Sequence, residues 1–175
     1  MSRMLGNSLF NYFARLAAVL VGLMGLVFLS GYLLPARHEA SASLRVQATP
    51  EAVWAVLSAV EEYPRWRSDV ATSEIIKSKP LTWKQTDPMG RAMVHIEGLA
   101  KPAQKWVDHL SAGGSPLSDE RTFLIVADKD GGSTIALIES AEIKEPMARF
   151  KARFIKGYAE DLQKLMGELR KRLAE

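Results

Sequence analysis

The sequence predicts an α+β fold in which a curved antiparallel β-sheet wraps around a long carboxyl-terminal helix, preceded by one transmembrane helix. Three observations indicate this fold class: an uncharged apolar run over residues 16–34, short segments of period-two alternation in the middle of the chain, and a helical stripe of apolar residues at its end. The expected divisions are a tail over 1–8, a membrane helix over 9–34, a linker over 35–43 and a soluble domain over 44–175.

The amino-terminal helix is long enough to cross a bilayer. Residues 16–34 would rise roughly 28 Å, close to the thickness of the hydrocarbon core, and Pro35 then ends the helix. The alternative is a cleaved signal peptide, with Arg3 as its basic start and Ala40-Ser41-Ala42 as its cleavage site, but its apolar region is longer than is typical. We therefore expect a single-pass cell-membrane anchor, with the amino terminus inside and the domain on the outer, periplasmic or extracellular side.

A stripe of small residues follows one side of the anchor. Ala14, Ala18 and Gly22 recur every four residues, a spacing that lets two membrane helices pack closely. The stripe therefore predicts a weak homodimer, although alanine and glycine are also common in membrane helices for other reasons.

The charge balance argues against a nucleic-acid partner. The net charge is +3, but Arg3 and Arg15 precede the apolar run, and all 20 acidic residues follow it. The soluble part is therefore close to neutral, and it contains no basic run interleaved with aromatic residues. There is no cysteine. His38, His95 and His109 lack the spacing of metal ligands, and no nucleotide-binding glycine motif occurs, so we expect neither metal nor cofactor.

The soluble part begins with a strand and a short helix. Residues 41–47 alternate weakly, which suits a strand. Thr49, Pro50 and Glu51 then give three agreeing helix-start signals: a capping hydroxyl, a proline in the first turn and an early acidic residue. This helix ends before Pro64.

Six further short strands are predicted, separated by turn residues. Their expected ranges are 71–76, 81–85, 92–97, 104–110, 121–126 and 134–143. The turn at Asp130-Gly131-Gly132-Ser133 joins two apolar strands, which is typical of a hairpin. Short connections between consecutive strands favour an antiparallel meander.

The chain ends in a predicted long helix that begins at Pro146. Its apolar residues recur at spacings of three and four: Met147, Phe150, Phe154, Tyr158, Leu162, Leu165, Leu169 and Leu173. This is the element long enough to cover one face of the sheet. If sheet and helix leave a gap between them, that gap is an apolar binding cavity.

The order of elements and several local segments resemble the START-related SRPBCC superfamily, in its polyketide cyclase/dehydrase and lipid-transport branch. The resembling segments are VQATPEAVW at 46–54, YPRWR at 63–67, GGST at 131–134, IESA at 138–141 and EPMARF at 145–150. The resemblance covers about residues 43–175 and implies a helix-grip fold, with a cavity for a hydrophobic ligand between the sheet and the terminal helix. Because only some members are enzymes, it does not by itself imply an activity.

His95 and Glu97 are the first candidates for chemistry. They lie two apart on a predicted strand and therefore on the same face, where an imidazole and a carboxylate in an apolar cavity could act as general acid and base. The interpretation that the sequence favours is that the pair is exposed on the convex face, with Val94 and Ile96 pointing inward.

Glu139 is the third candidate, because it interrupts an apolar strand that includes Ile135 and Leu137. A buried carboxylate needs a partner, and Arg67 or Arg149 is expected to supply it. This predicts a structural ion pair in preference to a catalyst.

The predicted ligand contacts are the large apolar residues expected between sheet and helix, although each could serve core packing instead. They are Trp66, Trp83, Met93, Trp106, Phe150, Phe154 and Tyr158. The function we expect is a membrane-tethered binder or carrier of a hydrophobic small molecule or lipid. A cyclase- or hydrolase-like enzyme and an interaction module without a ligand remain the alternatives, and whether the chain is an enzyme at all is left open, with a preference against it.

Overall fold

The computed structural model describes residues 2–111, 117–154 and 158–175, and the side chains of 12–110, 120–154 and 159–175. The helices are α1 (Ser2–Leu33), α2 (Pro50–Ser58), α3 (Tyr63–Trp66), α4 (Pro146–Phe154) and α5 (Tyr158–Leu173), with a 3₁₀ turn at Val60–Glu62. The strands are β1 (Arg37–Val46), β2 (Thr72–Ser78), β3 (Leu81–Thr86), β4 (Ala92–Lys101), β5 (Lys105–Ser111), β6 (Leu117–Ala127) and β7 (Ser133–Ile143). This is the predicted α+β, helix-grip arrangement.

The seven strands form one sheet in the order β1-β7-β6-β5-β4-β3-β2, and every neighbouring pair is antiparallel. The six strands that follow β1 are thus a meander, and β1 joins it beside β7. The predicted hairpin between β6 and β7 is present, and Gly131 in its turn has a positive φ of 84°, which favours glycine.

The first strand begins earlier than the sequence indicated. Residues 37–40, which belong to the predicted linker and precede the strand predicted over 41–47, form the first part of β1, where His38 lies opposite Ala141 and Ala40 opposite Glu139. Arg37, His38 and Glu39 are polar in succession, so these residues show no alternation that predicts a strand, but the backbone pairing with β7 does not depend on such a pattern.

Helix α2 begins as predicted. Thr49 is its N-cap, and the Thr49 hydroxyl accepts a hydrogen bond of 3.3 Å from the backbone N–H of Ala52, while Pro50 occupies the first turn. Val53 and Leu57 are the buried residues of this helix. They pack into the core at the end of the sheet where β1 leads into α2.

The core lies between the inner face of the sheet and α2 and α5. Its largest fully buried apolar side chains are Trp83, Trp106, Leu57, Ile135, Leu137, Leu162 and Leu169. Trp106 contacts Trp54 of α2, with ring centroids 5.2 Å apart, and meets Trp83 edge-on. Aromatic side chains therefore fill the interior instead of lining an open space.

The predicted terminal helix is described as two segments, α4 and α5, with 155–157 outside the described residues. Only α5 contributes to the core, through Leu162, Leu165, Met166 and Leu169. No residue of α4, all nine of which are described, is buried. The apolar stripe, which is continuous in the sequence, thus packs into the core along α5 but lies outside the core along α4.

Helix α1 projects from the domain, and almost all of its apolar side chains over the described residues 12–33 are exposed. Its segment Tyr12–Leu33 is 22 residues long and is 6% buried, and it is the one helix within the described residues that is long and apolar enough to cross a membrane. A signal sequence would meet the same criterion. Of the small residues predicted to mediate a dimer, Gly22 has open space around it, and dimerisation stays a prediction.

Candidate functional site

A cleft of about 320 Å³ lies between α5 and the inner face of the sheet. Its apolar surface comes from Met93 on β4 and from Leu162 and Leu165 on α5. Leu162 and Leu165 are there because the helical spacing of the α5 stripe turns them toward the sheet. A ligand in this cleft would contact both the sheet and α5.

Charged side chains surround this apolar surface. The acidic members are Asp69, Asp87, Asp161 and Glu168, and the basic members are Arg91, Arg121 and Lys164. The cleft therefore differs from the aromatic cavity that the sequence predicted. It suits a molecule that has an apolar body and at least one polar or charged group.

The acidic groups of the rim are held by local hydrogen bonds. Asp87 accepts hydrogen bonds of 2.9 Å from the backbone N–H groups of Met89 and Arg91, and one of 2.7 Å from Arg91 Nε. These bonds lower the pKa of the Asp87 carboxyl below its ordinary value, and the bond from the Arg91 backbone has the largest effect. Asp69 binds the Arg67 guanidinium at 2.7 and 3.1 Å. Burial acts to raise the pKa of Asp69, but the hydrogen bonds and charge of Arg67 hold it below its ordinary value.

A row of four ionisable residues crosses the inner face of the sheet toward the cleft. Glu97 lies opposite Asp108, Asp108 opposite Arg121, and Arg121 opposite Glu139. Directly opposed residues of antiparallel strands point to the same face. The row therefore places four charged side chains side by side, and Arg121 is the member that also lines the cleft.

His95 is buried beside this row. Its side chain is 1% exposed, and its Nδ1 lies 2.9 and 3.1 Å from the two carboxylate oxygens of Asp108. The imidazole stacks on the Trp83 indole, with centroids 5.1 Å apart and planes at 14°. The interpretation that His95 points to the convex face is wrong, because the Asp108 carboxylate supplies the polar partner that allows the imidazole to be buried.

The buried partner of His95 is Asp108 instead of Glu97. A signal for Asp108 exists in the sequence, since Asp108 is in phase with Trp106 on β5, and a carboxylate that shares a face with a buried tryptophan must itself find a partner. Chemically, a carboxylate that fixes one ring nitrogen of a histidine leaves Nε2 as the group that exchanges a proton. His95 Nε2 is buried and has no hydrogen-bond partner among the described residues.

Glu139 forms its ion pair with Arg121. Each side chain is about one-fifth exposed, and Arg121 Nε donates to Glu139 Oε2. Burial acts to lower the pKa of the Arg121 guanidinium, but the Glu139 carboxylate raises it above its ordinary value. A structural ion pair was expected, but both expected partners were wrong: Arg67 binds Asp69, and Arg149 donates to backbone carbonyls.

The predicted ligand contacts do not lie together in one place. Met93 lines the cleft, Trp83 and Trp106 are 0% and 1% exposed in the core, and Phe150 and Phe154 lie on α4. Trp66 is half-buried and packs edge-on against the Tyr63 ring at 5.4 Å. The side chain of Tyr158 is outside the described residues. Contact of any of these residues with a ligand stays a prediction.

The outer face of the sheet has a more open depression of about 470 Å³. Its lining includes Glu39, His109 and Glu120, and His109 Nδ1 is 3.6 Å from Glu120. None of the described apolar core residues contributes to it, so the cleft is the better candidate for an apolar ligand. Over the described residues, no group of three or more acidic or histidine side chains is arranged to hold a metal ion.

Solved structures of low sequence identity share this fold. A START superfamily protein from Mycobacterium smegmatis is 22% identical, with a TM-score of 0.62, over 78% of this chain and 97% of that chain. Norcoclaurine synthase from Thalictrum flavum, solved as a point mutant with a transition-state analogue, is 14% identical, with a TM-score of 0.65, over 81% and 97%. A conserved protein from Geobacillus kaustophilus is 17% identical, with a TM-score of 0.66, over 78% and 95%.

The sequence gives the more specific assignment. No curated protein matches it, but a family profile described as polyketide cyclase / dehydrase and lipid transport matches residues 37–174. The match begins at the first residue of β1, in agreement with the structural domain. Together, profile and fold support a domain that binds or carries a hydrophobic ligand. The chain belongs to the polyketide cyclase/dehydrase and lipid-transport family, within the START/Bet v1 (SRPBCC) superfamily.

Proposed function

We propose that this protein is a membrane-tethered domain that binds or carries a hydrophobic small molecule or lipid in the cleft between the sheet and α5. The cleft itself is the observation that carries the proposal. Its volume of about 320 Å³ is at the lower end of the usual range for ligand sites. Met93, Leu162 and Leu165 offer an apolar surface, and Arg121 supplies a charge at its inner wall.

The ligand class follows from this lining. An apolar body against Met93 and the two α5 leucines removes apolar surface from water, which is favourable by about 25 cal/mol per Å². A polar group of the same ligand would meet the charged rim. The molecule we propose is therefore amphipathic and small, such as a lipid with a single short chain or a ring compound with one ionised substituent.

Membrane tethering is supported by two features of α1 and β1. The apolar segment Tyr12–Leu33 is exposed along most of its length and contacts the domain only at its carboxyl-terminal turns, and an exposed apolar surface of this size needs an apolar environment. The alternative cleavage site, Ala40-Ser41-Ala42, lies inside β1, where it pairs with Leu137–Glu139. Cleavage there would remove the first half of a paired strand, which favours retention of α1 as an anchor.

Native mass spectrometry of the full chain in a non-ionic detergent tests the binding proposal, because the micelle is removed in the gas phase and bound molecules are counted directly. The probe is 1-anilinonaphthalene-8-sulfonate, a small amphipathic anion. We expect one bound probe, displaced or weakened at least tenfold by Met93→Trp, which fills the cleft. Met89→Trp is the matched control, because Met89 is 81% exposed. Equal binding by both variants, or no saturable binding, contradicts the proposal.

A cyclase- or hydrolase-like enzyme is the second candidate, and the His95–Asp108 pair favours it. The distance of 2.9 Å is that of a base and its orienting carboxylate. However, His95 is not among the residues that line the cleft. If the domain turns over a substrate, His95→Gln should abolish turnover and leave probe binding at the cleft unchanged. If the domain is a carrier, neither the wild type nor His95→Gln turns over a substrate.

A further inference from the structure

Helix α4 presents an apolar face that the domain core does not cover. Met147 is 39% exposed and Phe154 is 62% exposed, and the Phe150 and Phe154 rings contact each other with centroids 4.9 Å apart. Lys151 is also exposed, four residues after Met147 and therefore on the same side of the helix. Three large apolar residues and one lysine thus share a face that needs a partner outside the core.

Helix α4 packs against the carboxyl-terminal turns of α1. Gly31 is buried there, and a Cβ on Gly31 would lie 2.0 Å from the carbonyl oxygen of Pro146, so the two backbones are in direct contact. Among the described side chains, those with reduced exposure in α1 are Val27, Ser30 and Gly31, and Leu34 directly after the helix continues their spacing of three and four. Most of these lie within the apolar segment Tyr12–Leu33.

Arg149 fixes this contact. Its Nε donates to the Ile143 carbonyl at 2.7 Å, its Nη1 to the Leu34 carbonyl at 3.2 Å and its Nη2 to the Lys144 carbonyl at 2.9 Å. One guanidinium therefore joins the end of α1, the end of β7 and the start of α4. These bonds hold α4 beside the last turns of the anchor.

We propose that α4 is an interfacial membrane helix, which lies in the headgroup region of the bilayer at the side from which α1 emerges. This inference rests on the proposed function of α1 as a membrane anchor. The apolar face of Met147, Phe150 and Phe154 enters the boundary of the acyl chains, about 5–10 Å deep. Lys151 reaches the lipid phosphates from that face.

The position of α4 follows from the geometry of α1. If the segment Tyr12–Leu33 spans the hydrocarbon, its last turns end at the headgroup boundary. A helix whose backbone touches Gly31 is then at that boundary as well. The domain is consequently held on the bilayer by α1 and α4 together, with the β1–β7 edge of the sheet nearest to the membrane.

Site-directed spin labelling tests this inference in the full chain, reconstituted in nanodiscs of phosphatidylcholine with phosphatidylglycerol. Because the sequence contains no cysteine, each introduced cysteine is the only label site. The test variants are Met147→Cys and Phe154→Cys, both at exposed positions. Ile76→Cys, on β2 at the opposite edge of the sheet and 56% exposed, is the aqueous control, and Leu20→Cys in α1 is the membrane control.

We expect labels at Met147 and Phe154 to be more accessible to oxygen than to a water-soluble nickel chelate, at a depth between those of the two controls. If Met147 and Phe154 labels behave like the Ile76 label while the Leu20 label is deep, the inference is overturned and the anchor stands. If the Leu20 label is also in water, the proposed tether fails as well. Protection from both reagents, with spin–spin broadening, would assign the face to a second copy of the chain and also overturn the inference.

Discussion

The imidazole of His95 and the carboxylate of Asp108 face each other across β4 and β5, with Nδ1 2.9 Å from the nearer oxygen, in the buried interior of the sheet. The stacked Trp83 ring closes one side of the imidazole. Each group satisfies a polar atom of the other that would otherwise be buried without a partner. The pair therefore joins two central strands and allows a polar row to exist inside an otherwise apolar core.

Replacement of Asp108 with alanine should destabilise the domain. The substitution leaves the buried Nδ1–H of His95 without an acceptor, and a buried unsatisfied group costs about 1–3 kcal/mol. We expect the free energy of unfolding of the full chain in detergent to fall by this amount. Glu97→Gln is the control, because Glu97 shares the strand and face of His95 but Asp108 is the buried partner. An equal loss in the two variants would contradict the assigned pair.

The sequence predicted local features of the fold well because they depend on neighbouring residues. The start of α2 follows from Thr49 and Pro50, and the β6–β7 turn follows from Gly131, whose positive φ a side chain would strain. Both involve contacts within a few residues along the chain. Backbone pairing of a segment without a strand pattern, as in residues 37–40, requires the partner strand and was therefore missed.

The candidate site depends on contacts that spacing does not determine. Glu139 was assigned to Arg67 or Arg149, but the register of β6 against β7 brings Arg121 opposite Glu139. The face of His95 was likewise set by Asp108 on the adjacent strand, not by the apolar neighbours Val94 and Ile96 on β4. Cross-strand register comes from the whole sheet, so sequence reasoning could name the ionisable residues but could not pair them.

A double-mutant cycle should show direct coupling between Arg121 and Glu139. Both side chains are about one-fifth exposed, and Arg121 Nε donates to Glu139. Charged hydrogen-bonded partners that touch usually couple by about 0.5–3 kcal/mol, and we expect a value within this range from thermal unfolding of Arg121→Gln, Glu139→Gln and the double variant. The parallel cycle of Arg149 with Glu139 should give no coupling. Similar coupling in both cycles would mean that the measured energy reflects a general loss of packing.

Gly31→Ala should weaken the contact between α1 and α4. A Cβ at this position would lie 2.0 Å from the Pro146 carbonyl oxygen, and the backbone must move to admit it. Overpacking of this kind typically costs about 1–3 kcal/mol, and limited proteolysis of the full chain should cleave near α4 faster. Gly25→Ala is the matched control on the same helix, because nothing lies within 4 Å of its added Cβ. Unchanged proteolysis in Gly31→Ala would refute the close contact.

Mild acid should destabilise the junction of α1, β1 and α4 through His38. The pKa of His38 lies below its ordinary value of 6.5, mainly because the side chain is partly buried and also because the charges of Arg149 and Arg153 oppose protonation. Arg37 and Glu39 flank His38 on β1. As pH falls through the window below 6.5, the unfolded chain binds the proton more readily than the folded chain, so the free energy of unfolding decreases. We expect the melting temperature to fall from about pH 7.5 to about pH 5.5, with a smaller fall in His38→Gln. Arg153→Gln should also reduce the fall, because it removes one of the charges that oppose protonation. A fall of the same size in wild type and both variants would show that other groups govern the acid sensitivity.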